Sequence, residues 1–203
     1  MRQNAITVLL LTVLLATPGF AAEQKAVFAG GCFWGVEAVF EHVKGVIAVR
    51  SGYAGGTKAT ANYNAVTGGE TKHAESVEIR FESAKVSYIQ LLTIFFAVAH
   101  DPTEVDRQGP DIGPQYRSVI FYLNASQQRS AKAFITALDD SKALDKPVAT
   151  KVVPLVAFFP AEDYHQNFLR RHPEDPYIVQ HDLPKLAELK KRFPELYKEN
   201  PAP

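Results

Sequence analysis

From Ala26 onward the chain alternates between short apolar runs and segments with helical spacing. Ala26-Val27-Phe28-Ala29 is an unbroken apolar run of strand length, closed by Gly30-Gly31. Val36, Val39, Phe40 and Val43 then recur at helical spacing, with Glu37, Glu41 and Lys44 on the opposite face. This predicts a helix from about Cys32 to Val43, its apolar stripe packed inward and Gly45 at its end. A β-branched run, Val46 to Tyr53, leads to Gly55-Gly56. The Thr, Asn, Gly and Ala of Thr57 to Lys72 predict a surface loop carrying Tyr63.

His73 to Glu82 alternates cleanly, with Val77, Ile79 and Phe81 on one face and Glu78, Arg80 and Glu82 on the other. Glu75 shares the apolar face. A carboxylate there is costly unless paired or protonated. It therefore reads either as a buried, proton-bearing acid or as a strand-end group pairing with Lys72. Ser87-Tyr88-Ile89-Gln90 is a capping box opening a helix to about Ala99. His100 to Gln115 has no regular pattern and carries Pro102, Gly109-Pro110 and Gly113-Pro114, the mark of a functional loop.

Further elements follow: a strand over Val119 to Leu123, a helix from about Ser126 to Ala143, and a strand over Val152 to Phe159. A short helix from Ala161 to Arg171 and a charged C-terminal helix from Leu183 to Lys198 complete the chain. The core order β-α-β-β-α-β fits an α+β fold, a ferredoxin-like plait with a mixed sheet and added helices.

Composition changes this picture at two points. Residues 1–21 have a positive start, an uncharged apolar run from Ala5 to Ala16, and small residues at Gly19 and Ala21. They read as a secretory signal peptide cleaved after Ala21, and place the protein in the periplasm or outside the cell. The remaining ~180 residues (22–203) form one catalytic domain by the length prior, with its core over about 26–170. Loss of the leader takes Arg2 from the 22 basic residues and leaves the 22 acidic ones, a charge near zero that suggests neither a nucleic-acid nor a membrane partner. A monomer is expected.

The second point is the single cysteine, Cys32, which excludes an intramolecular disulfide. In an exported protein a lone cysteine is either a core residue or a reactive thiol. Strand, glycine turn and helix start around Gly30-Gly31-Cys32-Phe33-Trp34-Gly35 favour the reactive thiol, and unpaired N–H groups at a helix N-terminus favour the thiolate. Phe33 and Trp34 are core aromatics or the walls of an apolar pocket beside it. The six histidines show no pair at ligand spacing, so neither a metal centre nor a cofactor is expected. A cysteine hydrolase using His73 or His165, and a binding module without chemistry, are the competing readings.

The blocks GGCFWG, SGYAGG, NYNAVTGGETKHAESV, AHDPTEVDRQGPDIGPQYRS and AEDYHQNF, in this order over Ala26 to Leu169, resemble the class A peptide methionine sulfoxide reductases. The resemblance implies an α+β plait and thiol chemistry on sulfur. It matches Cys32 to the nucleophile, Glu75 to the acid that protonates the sulfoxide oxygen, and Tyr63 and Tyr116 to phenols that hydrogen-bond that oxygen. Phe33 and Trp34 match the walls of the methyl pocket, and Asp111 a supporting acidic position. His165 is expected to be structural. Many relatives carry further cysteines near the C-terminus; none is present here. A thioredoxin-like or small-thiol reductant is therefore implied, acting on a Cys32 sulfenic acid formed from free or protein-bound methionine S-sulfoxide.

Overall fold

The computed structural model describes residues 23–202. The predicted signal peptide lies outside the described residues. In chain order the elements are β1 (Glu23–Ala29), α1 (Phe33–Glu41), β2 (Val46–Ala54), α2 (Tyr63–Thr67), β3 (Ala74–Glu82) and α3 (Tyr88–Ile94). A short hairpin follows, β4 (Arg107–Gln108) and β5 (Asp111–Ile112), and then β6 (Val119–Tyr122), α4 (Ala125–Asp140), β7 (Lys151–Pro154) and β8 (Phe158–Pro160). The chain ends in α5 (Phe168–Arg171) and α6 (Leu183–Arg192).

Six strands form one sheet in the order β7-β6-β1-β3-β2-β8. Its middle, β6-β1-β3-β2, is antiparallel throughout and is the predicted plait. β7 adds parallel to β6 and β8 antiparallel to β2, which makes the sheet mixed. The strand expected over Val152 to Phe159 is thus two strands on opposite edges. Six flat strands would set those edges about 24 Å apart, whereas the four residue steps from Pro154 to Phe158 reach about 14 Å at most. The sheet must curl until its edges nearly meet.

That curl explains the unbroken apolar run of β1. Ala26 and Phe28 join the main core with α1, α3 and the Val77, Ile79 and Phe81 face of β3. Val27 and Ala29 face the inside of the curl, with Ala54, Ala74, Val119 and Phe121. From Ala26 to Ala29 both faces of β1 are dry, so neither can be polar there. The capping box of α3 forms as expected, with Ser87 Oγ accepting from the Gln90 amide at 3.2 Å and Gln90 Oε1 accepting from the Ser87 amide at 2.8 Å. A π turn over Phe95–Ala99 continues α3 to the loop that begins at His100.

Two expectations fail for one physical reason: α1 has no solvent face. Glu37 and Glu41, expected outside, are 1% and 2% exposed. One flank is covered by the segment 161–172, through contacts such as Ala38 with Leu169. The other is strapped by the C-terminal tail, where the Lys198 and Ala202 amides donate to the carbonyls of His42 and Glu41. The tail helix accordingly stops at Arg192 rather than Lys198, and Tyr197 pairs in an isolated bridge with Val43. Likewise, residues 161–171 are not one helix. A 3₁₀ turn at Asp163–His165 and α5 are separated by Asn167 in the left-handed conformation (φ 54°). The expected Thr57 to Lys72 loop contains a 3₁₀ turn at Lys58–Thr60 and α2.

Candidate active site

Strand β1 ends at Ala29, and Gly30-Gly31 turn the chain into α1. A side chain is sterically impossible at either glycine. A Cβ on Gly31 would sit 2.6 Å from the Gln108 side chain, and one on Gly30 2.9 Å from both the His100 and Phe95 rings. Gly31 also has φ +94°, where L side chains are strained. The 100–115 loop is thus packed directly against the turn that presents Cys32. Cys32 is the N-cap of α1 and is 8% exposed.

Glu75, at the start of the apolar face of β3, is 2% exposed and accepts the Phe33 N–H at 3.0 Å. This amide is one of the unpaired donors at the N-terminus of α1, so the acid is fixed one residue from the thiol. Burial pushes Glu75 up to about 8; the Phe33 hydrogen bond opposes this and the Asp111 charge adds to it. Near pH 7 the group carries its proton.

The thiol departs from expectation. Burial pushes Cys32 well above its usual value, the Glu75, Asp182 and Asp111 carboxylates push it further, and only the Trp34 backbone N–H pulls it down. A helix N-terminus is worth roughly 0.3–1 kcal/mol, less than one pKa unit at 1.36 kcal/mol each. Desolvation, the largest cause, outweighs it, with Asp182 and Asp111 acting in the same direction. The resting site therefore holds a neutral thiol beside a neutral acid.

Tyr116 ends the 3₁₀ turn Pro114–Tyr116 at the close of the same loop. Burial raises its hydroxyl pKa, and the nearby Glu75, Asp111, Cys32 and Tyr63 raise it further, so it remains a hydrogen-bond donor. Tyr63 opens α2, held by its N–H to Glu162 Oε1 at 2.9 Å, with its ring 4.5 Å from that of His165. Asp111, in β5, accepts the Tyr177 hydroxyl at 2.5 Å. Segments remote in sequence thus bring an acid, a thiol and two phenols into one neighbourhood.

A family model described as peptide methionine sulfoxide reductase matches residues 24–197. The peptide methionine sulfoxide reductase MsrA 2 of Synechocystis is 55% identical over 175 residues, 86% of this chain and 82% of that protein. The MsrA 2 of Mesorhizobium japonicum is 52% identical over 186 residues, 92% and 94% of the two. The chain belongs to the peptide methionine sulfoxide reductase family. Its fold matches reduced Mxr1 from Saccharomyces cerevisiae (TM-score 0.68, 28% identity, 75% of this chain and 87% of that one). It also matches methionine sulfoxide reductase A of Corynebacterium diphtheriae (TM-score 0.66, 29% identity, 78% and 77%). The enzyme accordingly reduces methionine sulfoxide to methionine.

In this reductase the segment 161–172 grips the single tryptophan. The Trp34 indole N–H donates to His165 Nδ1 at 3.2 Å, and Phe168 stacks on the indole at 3.7 Å and 7°. Tyr177 meets it edge-on at 6.0 Å. Phe33 packs on His165 and Tyr53. Burial keeps His165 neutral, and the Trp34 contact occupies its Nδ1, so it is not placed as the base of a hydrolase.

Three residues around the reductase site escaped the sequence reading. Glu162 bridges the site wall, accepting the Tyr53 hydroxyl at 2.8 Å as well as the Tyr63 amide. Tyr177 and Asp182 arrive from the C-terminal segment. Asp182 is fully buried, bound to Lys185 at 3.1 Å, and lies 2.0 Å from where a Cβ on Gly35 would be. Gly35 is thus required by the tail's close approach to α1. Nothing local marks Tyr177 or Asp182 in the sequence. Glu162, inside the AEDYHQNF block, carried a usable signal.

Proposed function

We propose that Cys32 removes the oxygen of methionine S-sulfoxide and that the reaction cycle depends on an external thiol. The observation that supports this most strongly is the Glu75 carboxyl, buried, proton-bearing and anchored on the amide that follows Cys32. The sulfoxide oxygen is a poor leaving group until protonated. A neutral acid at that point supplies the proton, and the Tyr116 and Tyr63 hydroxyls donate to the same oxygen. Phe33 and Trp34 wall the pocket for the methyl group, and Asp111 holds Tyr177 beside it.

In the first half-reaction the Cys32 sulfur attacks the sulfoxide sulfur. The S–O bond breaks as the oxygen leaves as water with the thiol proton and the Glu75 proton. A water then attacks the Cys32 sulfur, breaks the new S–S bond and returns a proton to Glu75. Methionine leaves and Cys32 is left as sulfenic acid, a two-electron oxidation of the thiol matched by reduction of the sulfoxide. With one cysteine in the chain, two equivalents of an external thiol, thioredoxin-like or small, restore Cys32 and release one disulfide and one water. The apolar run from Ala5 to Ala16 supports an exported site for this repair, acting on oxidised proteins and on free methionine sulfoxide.

A peptide carrying racemic methionine sulfoxide, incubated with enzyme and dithiothreitol and followed by mass spectrometry, is expected to stop at half conversion with the R epimer left. Consumption of both epimers, or of neither, contradicts this reading.

A further inference from the structure

Glu37 has no part in the chemistry above, yet it is among the most buried charged residues of the protein, at 1% exposure. It lies one helical turn after Trp34 on α1, at the i+3 position that shares a face with it. Its Oε1 accepts the Ser51 amide at 3.2 Å from β2, and its Oε2 accepts the Asn167 amide at 2.9 Å. Asn167 is the left-handed residue between the 3₁₀ turn and α5. On one side of it, two residues back, is His165, which takes the indole N–H. On the other, the next residue is Phe168, which stacks on the indole face. Gln166 completes the seam, with Oε1 accepting the Ser51 amide at 3.0 Å and Nε2 donating to the Ser51 carbonyl at 3.0 Å.

We infer that Glu37 is a positioning residue: by holding the Asn167 and Ser51 amides together it sets the 165–168 segment against Trp34, and through Trp34 shapes the substrate pocket. Asn167 holds the left-handed conformation (φ 54°) that asparagine tolerates better than other side chains, and the Glu37 carboxyl is what its N–H meets. Burial, with the Glu41 charge, pushes Glu37 up to about 8, so near pH 7 it is a neutral carboxyl whose two oxygens still accept. Two donors converging on the two oxygens of one carboxyl suit no other side chain of this length. Glutamine offers one acceptor and sets an N–H against the other donor.

The link to substrate rests on the proposed pocket role of Trp34, and the test separates the two. As the protein has one tryptophan, its emission reports Trp34 alone. Glu37→Gln is expected to shift that emission to the red and raise acrylamide quenching at least about twofold. KM for a methionine sulfoxide peptide should rise about fivefold, the equivalent of one lost hydrogen bond between neutral groups, with kcat within about threefold. Glu41→Gln is the control: equally buried on the same helix, with no hydrogen bond to the 165–168 segment. It should lower the melting temperature without moving Trp34 emission. If Glu37→Gln does not fold, Glu37→Asp, too short to reach both amides, is read in the same way. Unchanged Trp34 quenching in the folded variant overturns the positioning role, whatever the melting temperature does. Changed quenching with unchanged KM leaves Glu37 positioning Trp34 and overturns the pocket role of Trp34 instead.

Discussion

Replacement of Cys32 by serine is expected to abolish methionine formation, a loss of at least about 10⁴-fold in kcat, while substrate binding survives. Nucleophile deletions in enzymes whose groups act together are of this size or larger. Here no substitute is available, because Cys32 is the sole cysteine and serine oxygen cannot accept the two-electron oxidation and be recycled by a thiol. The aromatic walls and Glu75 are untouched, so a sulfoxide peptide should still perturb the emission of Trp34 with an affinity within a few-fold of wild type. The same variant separates the competing chemistries. A pure binding module would never have formed methionine in the wild type. A hydrolase would need a histidine beside the thiol, where the groups that act on Cys32 are the carboxylates of Glu75, Asp182 and Asp111.

Glu75→Gln is expected to lower kcat by about 10²–10⁴-fold, the range for loss of a positioned general acid. Glutamine keeps the size and still accepts the Phe33 N–H through its oxygen, so the fall reports the missing proton rather than a missing contact. The pH dependence sharpens the test. Wild-type kcat/KM should decline as pH rises through about 8, where Glu75 ionises, and the residual activity of Glu75→Gln should lack that limb. Stability follows the same group. Between the ordinary carboxylate range and about 8 the folded protein keeps a proton that the unfolded chain has released, so folding weakens as pH rises through that window. Glu75→Gln should reduce this slope in denaturant titrations at pH 5 and pH 8 without abolishing it, because Glu37 and Glu41, pushed by burial up to about 8 and about 7, contribute in the same direction.

Features set by residues close in sequence were legible before the structure. The alternation of β3 puts Glu75 on the side of Val77, Ile79 and Phe81, and the Ser87/Gln90 box opens α3 where its residues say it should. The plait order of the four central strands follows from the order of elements along the chain. What depended on distant segments was not legible. The acids of α1 read as a solvent face until the 161–172 segment and the tail close over them. One β-branched run over Val152 to Phe159 became two edge strands because the sheet curls, and no local signal records curl. The helix-start argument for a thiolate weighed only the local dipole. Burial of the thiol reverses its sign, and Asp182 from the far end of the chain adds to that direction. Tyr177 and Asp182 lie beyond every block that resembles the family.

A neutral resting thiol suits a one-cysteine cycle. A thiolate is the form that peroxides attack, and a site without a second cysteine has no internal means of capturing a sulfenic acid. Holding Cys32 protonated until a sulfoxide enters confines its oxidation to turnover.

The most direct test counts methionine. Enzyme at micromolar concentration is mixed with excess methionine sulfoxide peptide in the absence of any thiol, and product is measured against active sites, with dimedone added only to a parallel sample to trap Cys32. A plateau at about one methionine per enzyme, with the dimedone adduct on Cys32 in the parallel sample and steady turnover restored by thioredoxin or dithiothreitol in the sample without dimedone, is the predicted result. Continued release beyond one equivalent without thiol, or a plateau without modified Cys32, would contradict it.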